Sequence, residues 1–220
     1  MSQLKYKSYK NIFFDLDGTL TDPYEGITNS IIYSLRYYPE IQIPEREMLK
    51  SFIGPPLFDS YRRYFGFSEK ESAEAVGHYR EYYRDRGIFE NRLYGGIGGL
   101  LSGLKVSGKR VFLATSKPEI FAGQILEHFK IKNYFDGIYG SALDGSLAEK
   151  ADILSAALLR EGCRRDETLM IGDTLYDIEG AERCGIRAIG VTYGYGDSEK
   201  LRDSGAEIVD TVEELYGLLI

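Results

Sequence analysis

Cysteine and histidine are scarce, with two of each in 220 residues. Cys163 and Cys184 stand singly and far apart, which gives neither a disulfide framework nor a zinc pattern. His78 and His128 lie fifty residues apart in helix-like sequence without metal-ligand spacing, so both read as surface or packing residues. Long apolar runs are missing too. Nothing approaches the roughly 20 consecutive apolar residues of a membrane span, and the opening MSQLKYKSYK lacks the apolar core of a signal peptide. Positive charge is outweighed: 27 basic against 34 acidic residues leave −7, which argues against a nucleic-acid backbone as partner. No low-complexity tract points to disorder. The expectation is a cytoplasmic protein, monomer or dimer, with neither a membrane nor a nucleic-acid polymer as partner. What is present is ordinary, 43% hydrophobic and 28% charged, and 220 residues suit one large or two small domains with a substantial core.

One stretch stands out, Asn11 to Thr21, reading NIFFDLDGTLT. Ile12, Phe13 and Phe14 read as a short strand buried on both faces, and the strand runs straight into Asp15. Asp17 follows two residues on, with Gly18 and Thr19 supplying a flexible point and a hydroxyl. A polar turn after a strand has the same local pattern. Buried carboxylates are costly without partners, however, so the rest of the chain has to decide between the two readings.

From residue 23 to residue 92 the pattern is helical, too long for an ordinary connection within one sheet. Gly26 to Tyr38 carries Ile27, Ile31 and Leu35 as one apolar stripe, stopped at Pro39. Pro55 and Pro56 precede a second helix with Leu57, Phe58, Tyr61, Tyr64 and Phe65, expected to open with proline in its first turn. A third, Ser68 to Arg86, starts with a serine N-cap and has Glu71 three residues on, a capping-box signature. Residues 23–92 are expected to be a helical domain inserted into a core made of residues 1–22 and 93–220. The insert holds 11 acids and 10 basic residues, or −1, which leaves −6 for the core; half of the 18 tyrosines fall in the insert, where they read mainly as packing.

Beyond residue 92 strand and helix alternate. Helix Gly95 to Val106 precedes strand Arg110 to Ala114, which ends at Thr115, and helix Pro118 to Phe129 follows. Next come a short strand near Ile138, helix Ala148 to Arg160, strand Thr168 to Ile171 ending at Gly172-Asp173, and helix Leu175 to Cys184 with a left-handed cap at Gly185. Strand Arg187 to Val191, a weak helix near Glu199, a short strand at Ile208 and a helix from Val212 to Leu219 close the chain. The fold class is therefore α/β, a doubly wound parallel sheet, in which ligands sit at the carboxyl ends of strands.

Asp15, Thr115 and Asp173 each stand at such an end, and Asp177 follows Asp173 by one helical turn. Four carboxylates, Asp15, Asp17, Asp173 and Asp177, would converge, and like charges so close call for a cation. An all-oxygen set without His or Cys selects a hard ion, Mg²⁺ before Zn²⁺. Lys150 would point a positive charge into the same pocket. A cation, a lysine, a hydroxyl and backbone N–H groups are what a phosphoryl group needs for stabilisation. One aspartate is then free to act as nucleophile and a second as general acid and base.

Asp15-Leu16-Asp17-Gly18-Thr19, Thr115 at the end of an apolar strand, Lys150, and Gly172-Asp173 with Asp177 resemble the four ordered motifs of the haloacid dehalogenase (HAD) superfamily. The insert directly after the first motif resembles its C1-type helical cap. The resemblance implies that Asp15 is the nucleophile and a Mg²⁺ ligand, and that Asp17 is the acid/base with its backbone carbonyl on the metal. It further implies that Thr115 donates to phosphate, that Lys150 steadies the phosphoryl charge, and that Asp173 binds the metal, with Asp177 doing so directly or through water. Family dehalogenases lack an aspartate at the position of Asp17 and phosphonoacetaldehyde hydrolases carry alanine there, so Asp17 points to phosphoester chemistry. IGPPL (Ile53 to Leu57), TSKP (Thr115 to Pro118) and GDTLYDIEGA (Gly172 to Ala181) look like the phosphoglycolate-phosphatase branch, and Gly140 to Leu154 is closer to a bacterial 5′-nucleotidase-like group. The implied activity is hydrolysis of a small phosphorylated metabolite. Thr115, Ser116 and Lys117, with Gly54 and Arg62 from the insert, are the candidate substrate contacts. Loops around Tyr24 and from Arg92 to Gly95 are the expected hinges, and closure would keep water from the leaving group. A phosphosugar mutase, which returns the phosphoryl group to an intermediate, and a receiver-like or non-catalytic binding domain are the alternatives.

Overall fold

A computed structural model describes residues 6–143, 147 and 149–220. The chain divides into two compact units, Met1–Asp22 with Leu93–Ile220, and Pro23–Arg92. In chain order the strands are β1 (Asn11–Phe14), β2 (Thr21–Asp22), β3 (Arg92–Leu93), β4 (Arg110–Pro118), β5 (Gly137–Ser141), β6 (Thr168–Gly172), β7 (Arg187–Val191) and β8 (Glu207–Val209). Six of them form one sheet in the order β5-β4-β1-β6-β7-β8, every pair parallel. β1 thus lies at the centre, and the chain turns to one side of it for β4 and β5 and to the other for β6 to β8. Such a switch point opens a crevice at the carboxyl end of β1, between β4 and β6. β2 and β3, of two residues each, make a separate small sheet.

All four residues of β1 are buried, as a central strand covered on both faces requires. Register places Phe13 beside Phe112 on one neighbour and Met170 on the other. The two phenylalanine rings stack with centroids 4.6 Å apart. With Ala114 they pack against Ala151, Ile153, Leu154, Ala157 and Leu158 of the helix Lys150–Glu161. Each of the phenylalanine, leucine and isoleucine side chains fully removed from water contributes about 1.5–3 kcal/mol. This packing fixes the start of that helix near the end of β1, which is what brings Lys150 to the site.

The expected strand ending at Thr115 in fact continues to Pro118, because β5 keeps pairing with it across a register shift between Thr115 and Pro118. Pro118 and Pro56 occupy N-cap positions, immediately before the helices Glu119–His128 and Leu57–Phe65, in place of their first turns. The expected start of the Lys150 helix, Ala148, lies outside the described residues; the described helix begins at Lys150 itself.

The inserted unit is a helical bundle packed with aromatic rings. Its helices are Tyr24–Leu35, Arg46–Leu49, Leu57–Phe65 and Glu69–Tyr82, with a π turn, Tyr83–Gly87, extending the last. Tyr24 is therefore the first residue of a helix where a hinge loop was expected. Ser68 and Glu71 form the reciprocal capping box, Glu71 N–H donating to Ser68 Oγ and Ser68 N–H to Glu71 Oε2. The fully buried Tyr61 stacks on Phe67, and its hydroxyl is hydrogen-bonded to the Ser34 hydroxyl. Among the described residues no helix is long and apolar enough to cross a membrane.

Candidate active site

β1 ends at Phe14, and the Asp15 N–H still donates to the Ile171 carbonyl, 2.9 Å away, so Asp15 is held at the strand level although it carries charge. β6 ends at Gly172, which puts Asp173 beside it. Asp177 stands in the first turn of the next helix, Leu175–Arg183. One carboxylate oxygen from each of Asp15, Asp173 and Asp177 lies within 4.8 Å of the other two, and all three residues are buried.

Lys150 enters this triangle. Its Nζ donates to Asp15 Oδ1 at 2.6 Å and to the Ala114 carbonyl at 2.9 Å, and it lies 2.8 Å from Asp177 Oδ1. The last approach makes the ammonium a shared partner of Asp15 and Asp177. The other oxygen of Asp177 accepts from both the N–H and the hydroxyl of Thr174. Asp173 is held on both sides, Oδ1 by the Thr19 hydroxyl at 3.2 Å and Oδ2 by the Tyr195 N–H at 2.8 Å. Gly18 has φ 87°, and a Cβ there would overlap Asp173 Oδ2, so the turn after β1 has room for glycine alone.

Three buried carboxyl groups stand against one buried ammonium, so full ionisation of the cluster would leave negative charge in excess. Burial pushes the Asp173 carboxyl well above the usual range, and Asp177 and Asp15 push it further. Burial also raises the Asp177 carboxyl, with Lys150 acting against it. Burial works against charge on Lys150, but the carboxylates of Asp15 and Asp177 outweigh it and hold the ammonium above its ordinary pKa. Three carboxylate oxygens within 4.8 Å of one another, more acidic groups than basic ones and an all-oxygen donor set together fit a hard divalent cation held by Asp15, Asp173 and Asp177.

Asp17 goes elsewhere. Four carboxylates were expected at one point, yet the Asp17 side chain is outside the triangle, its Oδ2 paired with Lys117 Nζ at 2.6 Å. Burial raises its pKa, Lys117 acts against that rise, and Oδ1 has no hydrogen-bond partner. Two residues of backbone thus give two carboxylates different surroundings. Thr115, also buried, accepts the Lys117 N–H on its Oγ1 at 3.3 Å, and Ser116 lies between them in the bulged end of β4. Gly54 and Arg62 belong to the inserted unit. Gly54 takes a positive φ of 104°, and Arg62 is about half exposed, 3.9 Å from Glu69. Cys163 and Cys184 are free thiols, and both histidines pack on rings, His78 on Tyr37 and His128 on Phe129.

Residues 12–191 match the profile of the "Haloacid dehalogenase-like hydrolase" family. The chain belongs to that family. Among its relatives, a 5′-nucleotidase of Pseudomonas aeruginosa is 46% identical over 194 residues, spanning 88% of this chain and 87% of the relative. Tyrosine-protein kinase PtkA of Mycobacterium tuberculosis is 37% identical over 207 residues, 93% and 70% of the two chains. Phosphoglycolate phosphatase 1 of P. aeruginosa is 29% identical over 221 aligned positions, 94% and 78%. A crystal structure of a predicted phosphatase from Clostridium acetobutylicum superposes with a TM-score of 0.91 at 47% identity, covering 94% of this chain and 96% of that one. This HAD-family chain is accordingly an enzyme of the phosphatase type.

Sequence reasoning missed the loop 192–197. Its Tyr195 supplies a donor to Asp173, its Tyr193 hydroxyl donates to the Thr19 carbonyl at 3.0 Å, and its Tyr195 hydroxyl bonds Asp22. The alternation Tyr-Gly-Tyr-Gly was the available signal.

Proposed function

We propose that this HAD-family enzyme hydrolyses phosphate monoesters through a phosphorylated Asp15, with Mg²⁺ bound by Asp15, Asp173 and Asp177 and by the Asp17 carbonyl. The observation that carries the reading is the separation of roles at the end of β1. Asp15 is locked to Lys150 inside the acidic triangle, and Asp17 is turned out of it with a raised pKa. Bound Mg²⁺ would offset the charge on the phosphoryl oxygens and on the cluster. An Asp15 oxygen attacks phosphorus, and the bond from phosphorus to the ester oxygen breaks. Asp17 gives its proton to the departing alkoxide. Water then attacks phosphorus, Asp17 takes up the water proton, and the bond from phosphorus to Asp15 breaks to release inorganic phosphate. Lys150 keeps Asp15 oriented throughout, while Thr115, Ser116 and Lys117 hold the phosphoryl oxygens.

The substrate is a small phosphorylated metabolite, for which Gly54 and Arg62 of the insert select the leaving group. A nucleoside 5′-monophosphate is favoured over 2-phosphoglycolate by the higher identity to the 5′-nucleotidase, 46% against 29% for the phosphoglycolate phosphatase. The proposed setting is the cytoplasm. The test is phosphate release from nucleoside monophosphates, phosphoglycolate and sugar phosphates, with and without Mg²⁺, alongside transfer from a nucleotide to a tyrosyl peptide. Mg²⁺-dependent release from at least one monoester supports the reading. Isomerised sugar phosphate without release, or transfer to the peptide without release, would overturn it.

A further inference from the structure

The loop 192–197 is built around Asp173. Gly194 and Gly196 let the backbone lie flush on that residue: a Cβ at 194 would overlap Asp173 Oδ2, and one at 196 would overlap its carbonyl oxygen. Between them, the Tyr195 N–H reaches Oδ2 at 2.8 Å. The other carboxylate oxygen is held by Thr19, whose own carbonyl takes the Tyr193 hydroxyl. Both oxygens of Asp173 are therefore fixed by groups this loop supplies or secures.

Two side chains fasten the loop in turn. The Tyr195 hydroxyl is hydrogen-bonded to Asp22 Oδ1, and the Tyr94 and Tyr193 rings meet edge to face at 5.1 Å. Asp22 is the last core residue before the insert and Tyr94 the second core residue after it. The carboxylate that would hold a cation and the strand by which the chain leaves the core are thus joined through one tyrosine.

Resting on the cation site proposed above, we propose that Tyr195 is a positioning residue for Asp173. Its backbone N–H aims the carboxylate, and its ring hydroxyl, by gripping Asp22, keeps the N–H in place. Cation affinity then depends on an oxygen that touches neither cation nor substrate. By linkage, cation binding also steadies β2.

The experiment measures Mg²⁺ binding to the full chain by titration calorimetry, for the wild type, Tyr195→Phe, Asp22→Ala and the double variant, each with its circular dichroism spectrum. Groups that orient a metal ligand typically cost 10- to 100-fold in affinity when removed, so each single variant is expected to lose about tenfold or more. The double variant loses no more than the larger single loss, because both changes cut the same link. Asp22→Asn keeps an acceptor oxygen and retains affinity within about threefold, which also serves where Asp22→Ala does not fold. Wild-type affinity in Tyr195→Phe overturns the inference, as do single losses that multiply in the double variant. Failure of the wild type to bind Mg²⁺ overturns the cation site itself and this inference with it, and is told apart by the first titration.

Discussion

The core and the insert bury polar groups for opposite ends. In the insert the buried polar side chains are neutral: Tyr61 pairs with Ser34 and Ser30 with the Gly26 carbonyl, while Ser72 Oγ and Asn91 Nδ2 are buried without a partner but carry no charge. In the core, Asp15 and Asp177 share the Lys150 ammonium, Asp173 is clustered with them but held by the neutral Thr19 hydroxyl and Tyr195 N–H, and Asp17 Oδ1 has no hydrogen-bond partner. Nothing in the packing of the core needs those charges, and burying them costs stability. A group that weakens its own fold is a group kept for chemistry, and that contrast is a more specific guide to the site than the acidic composition is.

The contrast breaks most sharply at Asp15. Asp15→Asn is expected to lower phosphate release by about a thousandfold or more, since a neutral amide is no nucleophile, while the circular dichroism spectrum stays unchanged. Residual activity within tenfold of wild type would be incompatible with the roles assigned to Asp15 and Asp17. The insert answers differently. Tyr61→Ala removes a fully buried ring and should destabilise the fold by about 3–5 kcal/mol in urea denaturation. A loss below about 1 kcal/mol would mean that the ring sits in a site able to collapse.

Asp173→Asn should work in the opposite direction on stability. Without added metal it removes a carboxyl whose ionisation is disfavoured by burial and by its neighbours, and is expected to raise stability by about 1–3 kcal/mol, a gain that disappears in saturating Mg²⁺. For the wild type, Mg²⁺ at a hundred times its dissociation constant should add about 2.7 kcal/mol, read as a rise in melting temperature. A destabilised Asp173→Asn in metal-free buffer would show that the triangle is a structural element after all. The smallest effect is expected at the helix cap: Ser68→Ala should cost about 1 kcal/mol and leave turnover untouched.

Much of this was legible from local pattern. Apolar runs that end in a charge gave the strands before Asp15 and Asp173, and Ser68 with Glu71 gave a helix start in place. Val212–Leu219 and Arg187–Val191 fall on the expected residues. What escaped was set by distant partners. The apolar run is expected to end at Thr115, but pairing with β5 draws Thr-Ser-Lys-Pro into β4. The sequence Tyr-Arg-Asp-Arg-Gly has no local mark of a π turn at Tyr83–Gly87, and the short helix Arg46–Leu49 has no apolar period to announce it. Asp17 leaves the triangle for Lys117, a hundred residues later in the chain, and Tyr195 meets Asp173 across twenty-two. Spacing along the chain carries no information about either meeting.

The central claim is that Asp15 carries the phosphoryl group, and borohydride trapping tests it most directly. Enzyme mixed with a turned-over substrate and Mg²⁺ is quenched in acid, reduced with borohydride, digested and read by mass spectrometry. Reduction of an aspartyl phosphate yields homoserine, expected at position 15 and dependent on substrate. Homoserine at position 17, or an unmodified Asp15 under conditions where phosphate is released, would contradict the account.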